Sequence, residues 1–190
     1  PGPDTTVPPP STTILHAQAS GAGPIRITNK EQGMVNTRDE SGRTPLHCLV
    51  AVHHERKSQS QILEEAQVLL SNGACVNARD NEGNTPIHLC ISHSRLSLMK
   101  LLLTQPSIDV TVVNEKEETA LHIAASINDS VALDFLMEAP NAKAMLNMTN
   151  FHNYTPLVVN INCFSGPSDT MFAQKLLEYG ADVNYVGDKL

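Results

Sequence analysis

Tryptophan is absent from this 190-residue sequence, and aromatic residues make up only 4% of it. With 41% of the residues hydrophobic, a core has to be built from Leu, Ala, Ile and Val, side chains that suit packed helices. An excess of positive charge is also missing. The formal net charge is −7 and the pI is near 5.5, which argues against a protein that grips nucleic acid through its own phosphate contacts. No run approaches the roughly 18 apolar residues of a spanning helix, and no basic start precedes an apolar stretch, so neither a membrane span nor a signal peptide is visible. The four cysteines, Cys48, Cys75, Cys90 and Cys163, lack Cys-x-x-Cys spacing, which excludes the usual zinc and disulfide frameworks. Read as small buried hydrophobes, they suit a reducing compartment.

Catalytic patterns are equally sparse. No Ser-His-Asp, metal-ligand or phosphate-loop constellation stands at useful spacing. The nearest cluster, His53-His54-Glu55, lies in a polar stretch where solvation is the simpler reading. The sequence therefore predicts no catalytic residues, no metal ligands and no cofactor, and a protein that is not an enzyme.

What is present divides in two. Residues 1–29 are rich in Pro, Ser and Thr, as in Pro1-Gly2-Pro3 and Val7-Pro8-Pro9-Pro10-Ser11-Thr12-Thr13, and read as a disordered linker. Within it, Ile14-Leu15 and Ile25-Arg26-Ile27 are placed to dock locally, the latter as a strand-like lead-in. From residue 30 to 190 a short word recurs. Thr44-Pro45-Leu46-His47 returns as Thr85-Pro86-Ile87-His88, Thr119-Ala120-Leu121-His122 and Thr155-Pro156-Leu157-Val158, at intervals of 41, 34 and 36 residues. Such a period marks stacked units that cannot bury their apolar faces alone.

Each unit follows one plan. Asp80-Asn81-Glu82-Gly83-Asn84 reads as a turn whose glycine supplies a positive φ. Thr85 caps a helix with Pro86 at its first position, an inner helix runs over 87–93, and an outer helix over 96–104. Asn72-Gly73 marks a helix end. Glu117 and Asn153 replace the turn glycine, and because Glu tolerates a left-handed backbone poorly, the third turn is expected to be distorted or strained. The long first interval holds about eight extra polar residues, His53 to Gln61, and a shorter insertion lies near Phe164-Ser165-Gly166-Pro167-Ser168. Both are expected on the solvent side, as tolerated insertions or as binding elements.

These words, together with Gly73-Ala74-Cys75-Val76-Asn77 and Gly180-Ala181-Asp182-Val183-Asn184, resemble the ankyrin repeat. The resemblance implies an all-α solenoid of about four full turn-helix-helix units with short turn or hairpin fingers, plus a partial N-terminal one. It implies that Thr44, Pro45, His47, Thr85, Pro86, His88, Thr119, His122, Thr155 and Pro156 are scaffold, the Thr and His bonding within and between repeats. Val158 departs from the motif and should lose that bond. The sequence begins at Pro1 and stops at Gly187-Asp188-Lys189-Leu190 inside a further turn, so the array is expected to continue past it, with an uncapped last face.

Finer words point to a subfamily. Ile27-Thr28-Asn29-Lys30-Glu31 followed by Val35-Asn36 and Arg43-Thr44 resembles the start of the ankyrin domain in nematode Notch-type receptors. So do the first repeat, stretched before Glu64-Glu65-Ala66, and the run Ala173 to Tyr185. The resemblance implies a released receptor intracellular region that acts in the nucleus. There the array binds a DNA-binding CSL factor and helps form a groove for a Mastermind coactivator helix, without direct nucleic-acid or membrane contact, and is monomeric alone. Partner-binding residues are then expected on turn tips and on the exposed side of inner helices. By repeat these are Arg38, Glu40 and Arg43; Arg79, Asn81, Glu82, Asn84, Ser92 and His93; and Asn114, Glu115, Lys116, Ser126 and Asn128. A different inhibitor or scaffold, or the targeting module of an enzyme, would share the fold.

Overall fold

The computed structural model describes residues 13–28, 31–53, 55–164, 166 and 170–185, and every regular element among them is helical. The Pro-rich residues 1–12, Lys30, His54, residues 165 and 167–168 of the second insertion, and Gly187-Asp188-Lys189-Leu190 lie outside the described residues. The chain divides into two compact units, residues 1–75 and 76–190.

In the first unit, α1 (Ile14–Ala17) runs into a π-helical turn (Gln18–Ala22), and α2 (Pro45–Ala51) and α3 (Gln59–Ser71) follow. Helix α2 packs on α1, on the π turn and on α3, burying Leu15, Ala19, Leu46, Leu49, Val50, Ile62, Ala66 and Leu69. This moves the start of ordered structure into the stretch expected to be linker. Thr13-Ile14-Leu15-His16 is the repeat word without its proline, 31 residues before Thr44, and His16 is 1% exposed. Ile25 is buried but sits in no strand; its N–H donates to Glu65 Oε1 at 3.3 Å.

In the second unit, α4 (Pro86–Ser92), α6 (Ala120–Ser126) and α8 (Pro156–Cys163) pack successively as an inner layer. The outer layer is α5 (Leu96–Leu103), α7 (Ser130–Met137) and α9 (Met171–Tyr179), each packed on its own inner helix. Leu98, Met99, Leu102, Leu121, Leu133, Leu136, Phe172 and Leu176 form the core between the layers. On α8 and α9, Ile161, Met171 and Leu177 remain exposed.

Four finger turns precede the inner helices, and all are built alike. In each, one side-chain oxygen five residues before the Thr accepts two backbone N–H groups. Asp39 Oδ1 takes those of Ser41 and Arg43, Asp80 Oδ1 those of Glu82 and Asn84, Asn114 Oδ1 those of Lys116 and Glu118, and Asn150 Oδ1 those of His152 and Tyr154. A positive φ follows at Gly42 (71°), Gly83 (76°), Glu117 (58°) and Asn153 (62°). The third turn is thus not distorted: its backbone bonds, Asn114 N–H to Glu118 O and Glu117 N–H to Asn114 O, both 3.0 Å, repeat those of its neighbours. The strain falls on Glu117 alone, because the Asx-turn oxygen and the backbone hydrogen bonds of the finger fix the backbone whatever the side chain.

The long insertion proves structural. Arg56 donates to Ser20 O at 3.1 Å, Lys57 to Gly23 O at 2.9 Å, and Lys57 pairs with the buried Glu65. It straps the segment after α1 onto α3. His53, Glu55 and Arg56 are exposed, whereas Lys57 is buried. The cysteines split evenly: Cys48 and Cys90 are buried, while Cys75 and Cys163 are exposed, contrary to the expectation that all pack inside. Burial pushes the Cys48 thiol up to about 11 and that of Cys90 further.

Candidate functional site

The repeated Thr and His make a frame on which the fingers stand. The Thr N–H donates to the His Nδ1 three residues on: 3.1 Å for Thr13–His16, 3.2 Å for Thr44–His47, 3.2 Å for Thr85–His88 and 3.1 Å for Thr119–His122. Nδ1 therefore carries no proton, and Nε2–H is the donor. It reaches the carbonyl just before the next repeat's Thr: His16 to Arg43 O at 2.7 Å, His88 to Glu118 O at 3.1 Å and His122 to Tyr154 O at 3.0 Å. Burial drives the His88 pKa down to about 4 and lowers that of His122, so both imidazoles are neutral and fixed in this tautomer. At Val158 the imidazole is lost; Thr155 keeps only its cap, accepting the Val158 N–H at 3.4 Å.

Held this way, the second and third fingers and the helices α4 and α6 enclose an open groove of about 710 Å³. Its lining brings together Asn81, Glu82, Asn84, Ser92, Asn114, Glu115, Lys116 and Ser126, eight residues that the sequence placed on turn tips and inner helices, together with Glu118 and Ile123. The Glu115 N–H donates to Glu82 O at 2.9 Å, and the Phe151 N–H to Lys116 O at 2.9 Å, so successive fingers are stitched edge to edge. Glu82, Glu115 and Glu118 outweigh Lys116 in charge. Arg79 reaches Glu115 at 3.2 Å across two well-exposed side chains, a pair of little energetic weight.

Several predicted residues take other roles. Asn84 and Asn114 are only 9% and 7% exposed, not solvent-facing. Asn114 Nδ2 donates to Asn84 Oδ1 and to Glu118 Oε2, both at 3.2 Å, and Asn84 Nδ2 to Glu82 Oε2 at 3.2 Å, a polar floor running under both fingers. Arg38 and Arg79 brace their own turns, donating to Gly42 O at 3.0 Å and Gly83 O at 3.3 Å. Asn128 has a φ of 58° and accepts from Asn160 Nδ2 at 3.0 Å. His93 and Glu40 are exposed, Arg43 is half-buried, and none of the three lines the groove. Arg38, Glu40 and Arg43 belong to the first unit and are not part of this site.

Two further sets of residues carry structure that the sequence did not announce. Asn36, Asn77 and Asn147 each take a backbone N–H of the following repeat, from Cys75 at 2.7 Å, Asp109 at 3.0 Å and Asp182 at 2.9 Å; their regular place eight residues before a motif Thr was the available signal. Asn160, 1% exposed, also donates to Ala125 O at 3.0 Å. The fourth finger carries Phe151, His152 and Tyr154, whose rings lie 5.5 Å and 5.9 Å apart in succession; Phe151 is 68% exposed.

The groove offers non-covalent recognition. Its serine hydroxyls donate to helix carbonyls, Ser92 to His88 O at 3.1 Å and Ser126 to Ile123 O at 2.8 Å, and the imidazoles of His88 and His122 have both nitrogens engaged in the frame. Among the described residues no group of three His, Cys, Asp or Glu side chains is placed to hold a metal ion, and no helix is long and apolar enough to cross a membrane.

Comparison with known proteins agrees with this architecture. The family model for ankyrin repeats (3 copies) matches residues 13–114, beginning at the Thr that caps α1. Protein lin-12 of Caenorhabditis elegans is 30% identical over 185 residues, 96% of this chain and 13% of that protein. The human transient receptor potential cation channel subfamily A member 1 is 29% identical over 92% of the chain and 15% of its own length. Glycerophosphocholine phosphodiesterase GDE1 of Candida albicans is 28% identical over 93% and 15%. The chain thus spans only 13–15% of the length of these relatives. Ankyrin repeats are protein-interaction modules, and this chain belongs to the ankyrin-repeat family.

Proposed function

We propose that this chain is the ankyrin portion of a Notch-type receptor intracellular region, which binds a CSL-type DNA-binding factor and a Mastermind-type coactivator and acts in the nucleus after release from the membrane. The observation that carries this reading is the 30% identity to a nematode protein, lin-12, across 96% of the chain, the group whose receptors the entry segment and stretched first repeat resemble. The groove supports it from the side of geometry, since it gathers residues of two repeats onto one open face. With a net charge of −7, the chain reaches DNA through its partner and not directly.

A mobility-shift experiment tests this. The chain alone leaves a CSL-site duplex unshifted, slows the CSL–DNA band when added to it, and does so at lower concentration when the Mastermind segment is present. The absence of a slower band excludes the reading. The similarity to a phosphodiesterase favours one alternative, an array that targets an enzyme, and a catalytic domain encoded beside this segment would establish it.

A further inference from the structure

The carboxylates of Glu82 and Glu118 line the groove of the second unit and accept carboxamide N–H groups, from Asn84 and Asn114 respectively, at 3.2 Å. Arg79 donates to Gly83 O and to Glu115. Glu82, Glu115 and Glu118 thus face a single lysine, Lys116, across an open space large enough for several side chains, which leaves the groove with an excess of negative charge. Next to them, bonded through the Phe151 N–H to Lys116 O, stands the ring cluster Phe151, His152 and Tyr154. The whole chain has only four Phe and three Tyr, and two of those seven sit on this one fingertip, 68% and 42% exposed. Exposed aromatics in a chain so poor in them mark a contact surface.

We infer that the groove and the ring cluster together receive a linear peptide segment of a partner protein that carries arginine next to a leucine-sized apolar side chain. The guanidinium pairs with the Glu82 and Glu118 carboxylates, which gain a charge-assisted partner in place of a neutral amide contact. The planar head or the apolar neighbour lies on Phe151 and Tyr154, as guanidinium groups lie on aromatic faces. The open form of the groove suits an extended backbone, with Ser92 and Ser126 along the inner-helix wall. This inference rests on reading the groove as the partner-binding face, and not on the partner being a CSL factor or Mastermind.

The test uses the whole chain and a fluorescein-labelled twelve-residue peptide of alternating arginine and leucine, read by anisotropy, beside the same peptide with glutamate for arginine. The arginine peptide binds saturably and the glutamate peptide does not. The double variant E82Q/E118Q, which keeps the carboxamide contacts, and the variant F151A each weaken binding about tenfold. E138Q, on the exposed Glu138 at the end of α7, leaves it within about twofold, and circular dichroism shows all variants folded. Equal losses for E138Q and E82Q/E118Q reduce the effect to net charge and overturn the inference, as does equal binding of the glutamate peptide. Self-association that blocks the groove assigns it to a second copy and overturns it too. Peptide binding without a CSL–DNA supershift removes the Notch-type reading alone.

Discussion

Lys57 and Glu65 form a buried ion pair, side chains 4% and 10% exposed, between the inserted loop and the outer helix α3. Each member is also tied to the segment that follows α1: Lys57 donates to Gly23 O and Glu65 accepts the Ile25 N–H. The pair therefore fastens the first helix to the rest of its unit. Removing one partner leaves the other buried without a counter-charge, which costs about 3–5 kcal/mol, whereas replacing both by apolar residues of similar volume is close to neutral. K57A should lower the thermal midpoint steeply and expose residues 13–28 to protease. K57M/E65L should recover most of the loss. A midpoint for K57A within one degree of the parent rules out the clamp.

Gly21 belongs to the same fastening. Its φ is 104°, and a Cβ there would lie 2.8 Å from Arg56 Cβ. G21A should therefore loosen the strap from the inside by about 1–3 kcal/mol, combining a left-handed backbone with a clash. Limited proteolysis checks it: cleavage in the first unit accelerates, while cleavage in the second does not.

His88 ties stability to pH. It is neutral in the folded chain with a pKa lowered to about 4 by burial, against about 6.5 when unfolded. Above pH 6.5 the imidazole is neutral in both states and its frame is fully in place. Between about pH 6.5 and 4 the unfolded chain binds a proton that the folded one does not, so stability falls as pH falls, by up to about 1.4 kcal/mol per pH unit for this group. His122, also lowered, adds to the same slope. Urea midpoints measured from pH 7.5 to 4 should decline through that window, and H88Q should start lower but decline less steeply. An H88Q slope equal to the parent's would show that the acid sensitivity lies elsewhere.

The parts legible in the sequence are those whose chemistry is local. Thr85-Pro86 sets a helix start whatever surrounds it, because Pro fixes φ and lacks the N–H that would otherwise go unbonded, and Gly83 declares its turn in the same way. Thr13-Ile14-Leu15-His16 is not legible as a repeat word because it lacks the proline and is followed by Ala17-Gln18-Ala19-Ser20-Gly21, which reads as linker. The burial of Lys57, Asn84 and Asn114 was not legible at all. Each is a polar residue in a polar stretch, and only partners 8 to 34 residues away, Glu65, Gly23, Asn84 and Asn114 themselves, make burial tolerable. Most of the groove lining was legible because turn tips and inner-helix faces follow from the repeat period; Glu118 and Ile123 were not. Its ring cluster was not, because Phe151 and Tyr154 occupy finger positions that the motif leaves unspecified.

Glu117 tests how much of the finger geometry is set by the Asx-turn and how much by the residue with positive φ. Its φ of 58° is costly for a residue that carries a Cβ, about 1–2 kcal/mol. E117G should remove that strain but loosen the unfolded chain, leaving a net stabilisation of up to about 1 kcal/mol. Gly83 is the opposite case. At φ 76° a Cβ would lie 2.8 Å from Glu115 N and 3.0 Å from Asn114 C, backbone atoms of the next finger, which cannot yield without breaking the Glu115 N–H bond to Glu82 O. G83A should therefore cost more than the left-handed backbone alone, about 2–3 kcal/mol, and should widen the groove between the second and third fingers. Equilibrium unfolding of both variants gives the comparison. If E117G destabilises while G83A is neutral, the positive-φ residue does not limit these turns, and the shared Asp or Asn oxygen alone holds each finger in shape.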